Sequence, residues 1–311
     1  MQFKKPKFWD YKKLSFQSIL LFPFSIIYLA IIWFIRVFSI FKTNKKLPIP
    51  VICVGNIYLG GTGKTPLVRE IFNITKSLGK NPAFIKKYHP YLSDEIKMLK
   101  NKGETFTDHK RQKSILLSIS NNHDVAILDD GFQDFSVRPD FSILCFNSKQ
   151  MIGNGLLIPS GPLRENLSAI LRADCIVING HKNLEFEKKL FETIQNKKLH
   201  IFYSKYKINN IEKFNNKEIT AFAGIGNPSN FFDLLRENNL NIKETFSFPD
   251  HHKYSKNDFE KIMNNKSTKI ITTEKDYYRM NDSQKQSCEY VEVDLEIENK
   301  DKFKDIIKSY L

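Results

Sequence analysis

One short segment combines the residue types that bind a nucleotide polyphosphate: Gly60, Gly61, Thr62, Gly63, Lys64 and Thr65. Glycines allow backbone N–H groups to turn toward phosphate oxygens, and the start of a helix adds a partial positive charge. Lys64 can then reach the β- and γ-phosphates, and the Thr65 hydroxyl can bind Mg²⁺. The segment follows an apolar run, Ile49–Val54, and precedes a helical pattern, so the sequence predicts a P-loop that binds ATP.

The match to the standard P-loop pattern is imperfect, because Tyr58 stands where the first glycine would be. A glycine turn before an ordinary helix is the alternative interpretation. The strand before the loop and the helix after it favour nucleotide binding.

A pair of acids ends a second apolar run. Residues 125–128 are Val-Ala-Ile-Leu, and Asp129 and Asp130 follow directly. Two adjacent carboxylates at the end of a buried strand are costly without a cation, so we expect them to hold Mg²⁺ opposite Thr65. An acidic turn around Gly131 is the alternative.

Three further segments carry polar groups of less certain meaning. A Gly- and Pro-rich loop leads to Arg164, predicted at a helix start, where a cation opposes the helix dipole and can instead stabilise a transferring phosphoryl group. A surface Arg164 paired with Glu165 is the alternative. Asp94 lies in Ser93-Asp94-Glu95, a good helix N-terminus, and His251 lies in what reads as an exposed loop.

The apolar runs alternate with helical patterns, which predicts an α/β protein with a mostly parallel sheet and helices on both faces. Such sheets bind ligands at the carboxyl ends of their strands, where the glycine loop and the acid pair lie. We predict three parts: a membrane-associated helix in residues 1–45, a P-loop core in residues 46–215 and a smaller C-terminal α/β domain in residues 216–311. A hinge is predicted at Lys205–Lys217.

Charge and hydropathy are unevenly distributed. The chain has 311 residues and a net charge of +14, yet residues 1–50 hold nine Lys or Arg residues against one Asp. These basic residues flank the uncharged apolar segment Phe16–Ile35, which is long enough to enter a membrane and suits an anionic membrane surface. A signal peptide or a buried core helix are the alternatives. A nucleic-acid-binding protein is disfavoured because more than half of the excess positive charge lies beside the apolar segment. The four cysteines read as buried reduced thiols.

In this order, the motifs resemble those of the tetraacyldisaccharide 4′-kinases, the lipid A 4′-kinases of Gram-negative bacteria. The resemblance covers nearly the whole chain and includes the missing first P-loop glycine. It rests on the apolar N-terminal segment, Val54-Gly55-Asn56, residues 60–66, Asp129-Asp130-Gly131-Phe132-Gln133, residues 154–165, Phe222–Pro228, Pro249-Asp250-His251 and Thr273-Glu274-Lys275-Asp276.

The resemblance implies a kinase that transfers the γ-phosphate of ATP to the 4′-hydroxyl of a tetraacylated glucosamine disaccharide 1-phosphate, at the cytoplasmic face of the bacterial inner membrane. It implies that Asp94 is the base, assisted by His251, and that Arg164 acts on the transferring group. It also implies nucleotide-site roles for Gln133, Glu165 and Asn227, beside the P-loop residues and the Mg²⁺ ligands Thr65, Asp129 and Asp130.

Two points stay open at this stage. The chain reads Lys86-Lys87-Tyr88 where the family usually has a Ser-Arg-Gly-Tyr-like stretch, so the role of that stretch is undefined. The rival function is a membrane-bound P-loop switch ATPase of the positioning or partition type, which would hydrolyse ATP without phosphorylating a lipid. Such proteins usually carry a signature Lys early in the loop, where this chain has Tyr58 and Leu59.

Overall fold

The structure is a computed structural model of the chain that describes residues 5–11, 13–40, 46–194, 199–264 and 268–311, without the side chains of residues 39 and 40. Several basic residues predicted to flank the apolar segment lie outside the described residues: Lys4, Lys12, Lys42 and Lys45.

The larger sheet has eight strands in the order β12-β7-β6-β5-β1-β4-β2-β3. Its pairings from β3 through to β7 are all parallel. The strands are β1 (Val51–Gly55), β2 (Pro82–Lys87), β3 (Thr105–Asp108), β4 (Val125–Asp129), β5 (Phe141–Asn147), β6 (Cys175–Asn179), β7 (His200–Ile208) and β12 (Val293–Ile297).

A second sheet has four parallel strands in the order β11-β10-β8-β9. They are β8 (Ile219–Ala223), β9 (Ile242–Ser247), β10 (Lys269–Thr273) and β11 (Glu289–Val291). The helices are α1 (Phe16–Ile40), α2 (Lys64–Ser77), α3 (Ser93–Lys100), α4 (Arg111–Ser120), α5 (Leu184–Ile194), α6 (Pro228–Glu237), α7 (Lys256–Ile262), α8 (Glu274–Arg279), α9 (Asp282–Gln286) and α10 (Lys300–Lys308). The predicted α/β class with a mostly parallel sheet is confirmed.

The central strands explain why the glycine loop and the acid pair are neighbours. Strands β1 and β4 are buried along their whole length and pair in parallel, with Val54 opposite Asp129. The loop that follows β1 and the acids that end β4 therefore emerge at the same edge of the sheet. The four cysteines are free and buried, as predicted.

The chain forms two compact units, and they do not follow the predicted linear segments. One unit contains the described residues within 6–88, 103–205 and 295–311, and the other contains residue 5 and the described residues within 89–102 and 206–294. The difference arises because β12 returns to the larger sheet beside β7, and because α3 packs against α8 of the smaller unit. The predicted hinge at Lys205–Lys217 begins inside β7 rather than in a linker.

Helix α1 is long and apolar enough to cross a membrane over Phe16–Phe38. Ser18 and Ser25 face the protein and are buried, whereas Gln17 and large apolar side chains such as Ile27 and Trp33 are exposed. Ser25 Oγ donates to the Leu157 carbonyl at 2.9 Å and lies 2.9 Å from Ser160 Oγ. The apolar surface of α1 thus remains outside the core of its unit, unlike that of a buried core helix.

We expect Ser25→Ala to lower the free energy of unfolding by about 1–3 kcal/mol, because the buried Ser160 N–H and hydroxyl lose their contacts with Ser25 Oγ. Urea denaturation in detergent would measure the change. The matched control is Gln17→Ala on the exposed surface of the same helix, and an equal effect of both substitutions would contradict the prediction.

Candidate functional site

The loop between β1 and α2 has a shape that glycine makes possible. Gly63 adopts φ 93° directly before α2, and Gly60 adopts φ 143°. Both angles lie in a region that other residues rarely occupy. The buried Asn56 side chain braces the loop, because its Nδ2 donates to Thr62 Oγ1 at 2.9 Å and to the Gly60 carbonyl at 3.3 Å.

Asp130 forms ion pairs with two cations at this loop, Lys64 and Arg164. Lys64 Nζ lies 3.8 Å from its Oδ1, and Arg164 donates to Oδ1 at 2.8 Å and to Oδ2 at 3.2 Å. Desolvation raises the pKa of Asp130, but Lys64 and Arg164 outweigh that effect and hold the pKa well below its usual range. The three side chains form an ionised group beside the P-loop, suited to binding an anionic ligand.

Asp129 is fully buried, and its two oxygens differ in their surroundings. Oδ2 accepts hydrogen bonds from Lys86 Nζ at 2.7 Å and from Thr65 Oγ1 at 3.3 Å. Oδ1 is buried and accepts no hydrogen bond within the described parts of the chain. An orphaned carboxylate oxygen beside a P-loop threonine fits Mg²⁺, which takes one or two carboxylates together with phosphate oxygens and water. Among the described residues, no three His, Cys, Asp or Glu side chains form a metal-binding cluster, so phosphate and water would have to complete the coordination.

Arg164 does not begin a helix, which corrects the sequence prediction. The helix that follows is a short 3-10 helix at Leu167–Arg172. Leu163 instead forms isolated β-bridges, and Arg164 N donates to the Ile57 carbonyl at 2.7 Å, which keeps the backbone extended. The loop geometry, rather than a helix dipole, directs Arg164 toward Asp130.

The alternative pairing of Arg164 with Glu165 is also wrong. Glu165 pairs with Arg172, whose Nη2 lies 2.8 Å from Oε2, and it accepts from Gln133 Nε2 at 3.0 Å. Gln133 also donates to the Asn56 carbonyl at 2.9 Å, which Arg164 Nη2 contacts at the same distance. The structure therefore brings Gln133, Glu165 and Arg164 together at the P-loop.

The smaller unit surrounds Asp94 with basic groups. Arg279 donates to Asp94 Oδ2 through Nη2 at 2.7 Å and Nε at 3.2 Å, and His251 Nδ1 lies 3.6 Å from the same oxygen. Desolvation raises the pKa of Asp94, but His251, Lys275 and Arg279 together lower it to about 2. Asp94 is therefore a carboxylate at neutral pH, although only 2% of its surface is exposed.

The contacts of His251 indicate which ring nitrogen carries the proton. Lys275 Nζ lies 3.3 Å from Nε2. An ammonium group can only donate, so Nε2 accepts and Nδ1 bears the hydrogen that points toward Asp94. Lys275 in turn contacts Glu95 Oε1 at 3.0 Å. The exposed-loop interpretation of this segment is wrong for His251, whose side chain is 31% exposed and beside Asp94.

Asn227 belongs to the smaller unit, whereas the P-loop residues belong to the larger one. It precedes α6, where its Oδ1 accepts from Ser229 Oγ at 2.7 Å. These contacts belong to a helix start, and the nucleotide-site role of Asn227 stays a prediction.

Comparisons with known proteins agree with this geometry. A model of the family described as Tetraacyldisaccharide-1-P 4′-kinase matches residues 17–311. A tetraacyldisaccharide 4′-kinase of Pelagibacter ubique is 43% identical over 302 residues, covering 96% of this chain and 95% of the relative. A kinase of the same name from Colwellia psychrerythraea is 30% identical, with 83% of this chain and 81% of the relative covered.

The chain belongs to the tetraacyldisaccharide 4′-kinase family. A crystal structure from Aquifex aeolicus, described as an "apo" form in complex with ATP, has a TM-score of 0.74 and 27% identity, and the match covers 94% of this chain and 99% of that one. The predicted family, fold and kinase class are confirmed, and the switch ATPase is not favoured.

For this family member, sequence reasoning missed several contacts of the site. Asn56 and Lys86 were not assigned roles, nor was Arg111, whose Nη2 donates to the Asp130 carbonyl at 2.7 Å and whose Nη1 donates to Asp134 Oδ2 at 2.7 Å. Arg279 was missed as well. The one available signal was Lys86, a charged residue that directly follows the apolar residues 82–85 of β2.

We expect Arg279→Met to move the acid limb of kcat/KM upward by about 1–3 pH units. Arg279 helps to depress the pKa of Asp94, so its loss raises that pKa, and the carboxylate predicted to act as the base then protonates at a higher pH. A pH–rate profile of kinase activity would measure the shift.

Arg279→Lys retains the charge, so its acid limb should lie between those of the native enzyme and Arg279→Met. Arg236→Met, which removes a surface cation from α6, is the matched control. Superimposable profiles for Arg279→Met and the native enzyme would refute a positioning role for Arg279.

Proposed function

We propose that this protein transfers the γ-phosphate of ATP to the 4′-hydroxyl of a tetraacylated glucosamine disaccharide 1-phosphate in lipid A synthesis. The observation that carries the proposal is the ionised group of Lys64, Asp130 and Arg164 at a P-loop, in a chain that the kinase family matches from residue 17 onward. Loss of either positive charge, Lys64 or Arg164, would weaken binding of a polyphosphate.

On the donor side, Lys64 binds the β- and γ-phosphates and Arg164 stabilises charge on the transferring group. Gln133 positions the loop beside Arg164, because its Nε2 donates to the Asn56 carbonyl and to Glu165 Oε1. Mg²⁺, bound through Thr65 and Asp129, would neutralise phosphate charge. Asp130 orients Lys64 and Arg164 through the contacts described above, and it is the second candidate for the metal.

On the acceptor side, Asp94 accepts the hydrogen of the sugar hydroxyl. Its low pKa makes it a weak base, which suits a loose transition state in which the hydroxyl proton is lost late. His251 Nδ1, 3.6 Å from Asp94 Oδ2, faces the carboxylate and favours its charged form. Lys275 and Arg279 hold this pair from the same helix, α8.

The membrane meets the protein through α1. Ser25 and Tyr28 bind the loop that leads to Arg164: Ser25 Oγ donates to the Leu157 carbonyl at 2.9 Å and Tyr28 OH donates to the Arg164 carbonyl at 3.2 Å. The exposed apolar side chains can therefore enter lipid without disturbing the core of the unit. We place the enzyme at the cytoplasmic face of the inner membrane, where ATP is available, with the acyl chains of the substrate remaining in the bilayer.

The test is incubation of the purified full chain with ATP, Mg²⁺ and tetraacyldisaccharide 1-phosphate in phospholipid–detergent micelles, followed by mass spectrometry of the extracted lipid. We expect one added phosphate, located on the 4′-hydroxyl by fragmentation. Release of inorganic phosphate without phosphorylation of the lipid would instead identify a switch ATPase.

A further inference from the structure

Lys86 is a buried cation directly beside the proposed metal ligand. It lies on β2, which pairs in parallel with β4, and its Cα partner in the register is Asp129. Its exposure is 3% and that of Asp129 is 0%. The two side chains meet at 2.7 Å, well within hydrogen-bonding distance. A buried ammonium needs such a partner, because an unpaired charge in this position is strongly destabilising.

The Asp129 carboxylate is the proposed partner of two cations, the Lys86 ammonium and Mg²⁺. Lys86 and Thr65 already donate to Asp129 Oδ2, which leaves the buried Oδ1 as the open oxygen. A divalent ion at Oδ1 would lie within a few ångströms of the Lys86 ammonium, and two positive charges so close repel each other. Asp129 therefore cannot bind the metal ion through Oδ1 without keeping its ion pair with Lys86 at Oδ2.

The net charge of the site determines whether a metal ion can bind despite its repulsion by Lys86. Lys64, Lys86 and Arg164 supply three positive charges to the two carboxylates of Asp129 and Asp130. Before a polyphosphate binds, the group is cationic and repels a free metal ion. A bound triphosphate adds several negative charges and oxygen ligands, which reverses the balance.

We propose that Lys86 is a resident counter-ion of Asp129 that keeps free Mg²⁺ out of the site, so that the metal enters with ATP rather than ahead of it. This inference rests on the proposed role of Mg²⁺. Lys86 neutralises the buried carboxylate in the nucleotide-free enzyme and makes metal binding conditional on the polyphosphate.

The test measures binding of Mg²⁺ alone, by isothermal titration calorimetry on the full chain in detergent. Lys86→Met removes the charge with little change in length, and we expect it to bind free Mg²⁺ at least about tenfold more tightly than the native chain. The matched control is Lys87→Met, the next residue along β2, whose side chain points to the opposite face of the sheet. It should bind Mg²⁺ as weakly as the native chain.

Thermal unfolding gives a second readout that does not depend on catalysis. Lys86→Met leaves Asp129 buried without its counter-ion, so the variant should melt at a lower temperature in EDTA and gain more from added Mg²⁺ than the native chain does. Should Lys86→Met fail to fold, Lys86→Gln keeps a hydrogen-bond donor for Asp129 without the charge, and the same tighter binding is expected.

The outcomes separate the two ideas. Equal affinity for free Mg²⁺ in native, Lys86→Gln and Lys86→Met chains would overturn the counter-ion proposal while leaving the metal role intact. Failure of every chain to bind Mg²⁺ even with ATP present would overturn the metal role, and the counter-ion proposal with it. Tighter binding by the charge-free variants alone is the supporting result.

Discussion

Replacing Asp94 with Asn is expected to lower kcat for lipid phosphorylation by a factor on the order of 10² to 10⁴ while ATP affinity stays near its native value. Asn has the size of Asp but cannot accept the hydroxyl proton. Among the described residues, the Asp94 side chain contacts Glu95, His251 and Arg279, so the substitution removes no contact of the P-loop residues. Steady-state kinetics with lipid acceptor and calorimetry with ATP would measure the two quantities.

The control for Asp94→Asn is Asp233→Asn, which neutralises a partly exposed carboxylate on α6 in the same unit. It should retain native kcat. Because Asp94 pairs with Arg279, the stability of the Asn variant must also be measured by thermal unfolding. A folded Asp94→Asn enzyme with native kcat, or one that loses ATP binding in proportion to activity, would show that Asp94 is not the base.

Lys64→Met is expected to weaken ATP binding by a factor on the order of 30 to several thousand, the equivalent of about 2–5 kcal/mol for one lost charge pair at a desolvated site. Lys64 is the P-loop cation, and its ammonium lies 3.8 Å from Asp130. In the variant, Arg164 still balances Asp130, so the loss falls on the nucleotide rather than on the fold. Calorimetric titration with ATP and Mg²⁺ gives the affinity directly.

Lys76→Met provides the comparison for Lys64→Met. Lys76 is an exposed cation on the same helix, three turns from the P-loop, and its loss changes the net charge equally. Native ATP affinity is expected for it. Were Lys64→Met to bind ATP as tightly as Lys76→Met does, the loop at residues 60–65 would not be the phosphate site.

Strong local sequence patterns were sufficient to predict the residues proposed to bind ATP, the phosphate donor. A glycine-rich loop between a buried strand and a helix has few uses other than binding phosphate, and a run of four apolar residues ending in Asp129 identifies the neighbouring strand. Both predictions match elements of the structure, β1 to α2 and β4. Strands β3 and β9 have weaker patterns, because the residues of β3 are only partly buried, most of those of β9 are exposed, and both strands carry polar side chains.

The acceptor half was less predictable. Ser93-Asp94-Glu95 has the composition of any helix N-terminus, and the loop that carries His251 has no local feature that points inward. Only the packing of α3 against α8 brings Asp94 to Arg279, a separation of 185 residues along the chain. The resemblance to the kinase family singled out Asp94 and His251, but it did not indicate Arg279.

By itself, the amino-acid sequence determined the α/β class, the family, the P-loop and the apolar N-terminal segment, because each depends on residues close together in the chain. The tertiary structure alone decided which charges meet: Lys86 with Asp129, Arg164 with Asp130 rather than Glu165, and Arg279 with Asp94. It also decided that Ser18 and Ser25 of α1 face the protein while large apolar side chains such as Ile27 and Trp33 are exposed. Pairings of this kind depend on strand order and loop closure, since side chains distant in the sequence become neighbours only when the chain folds.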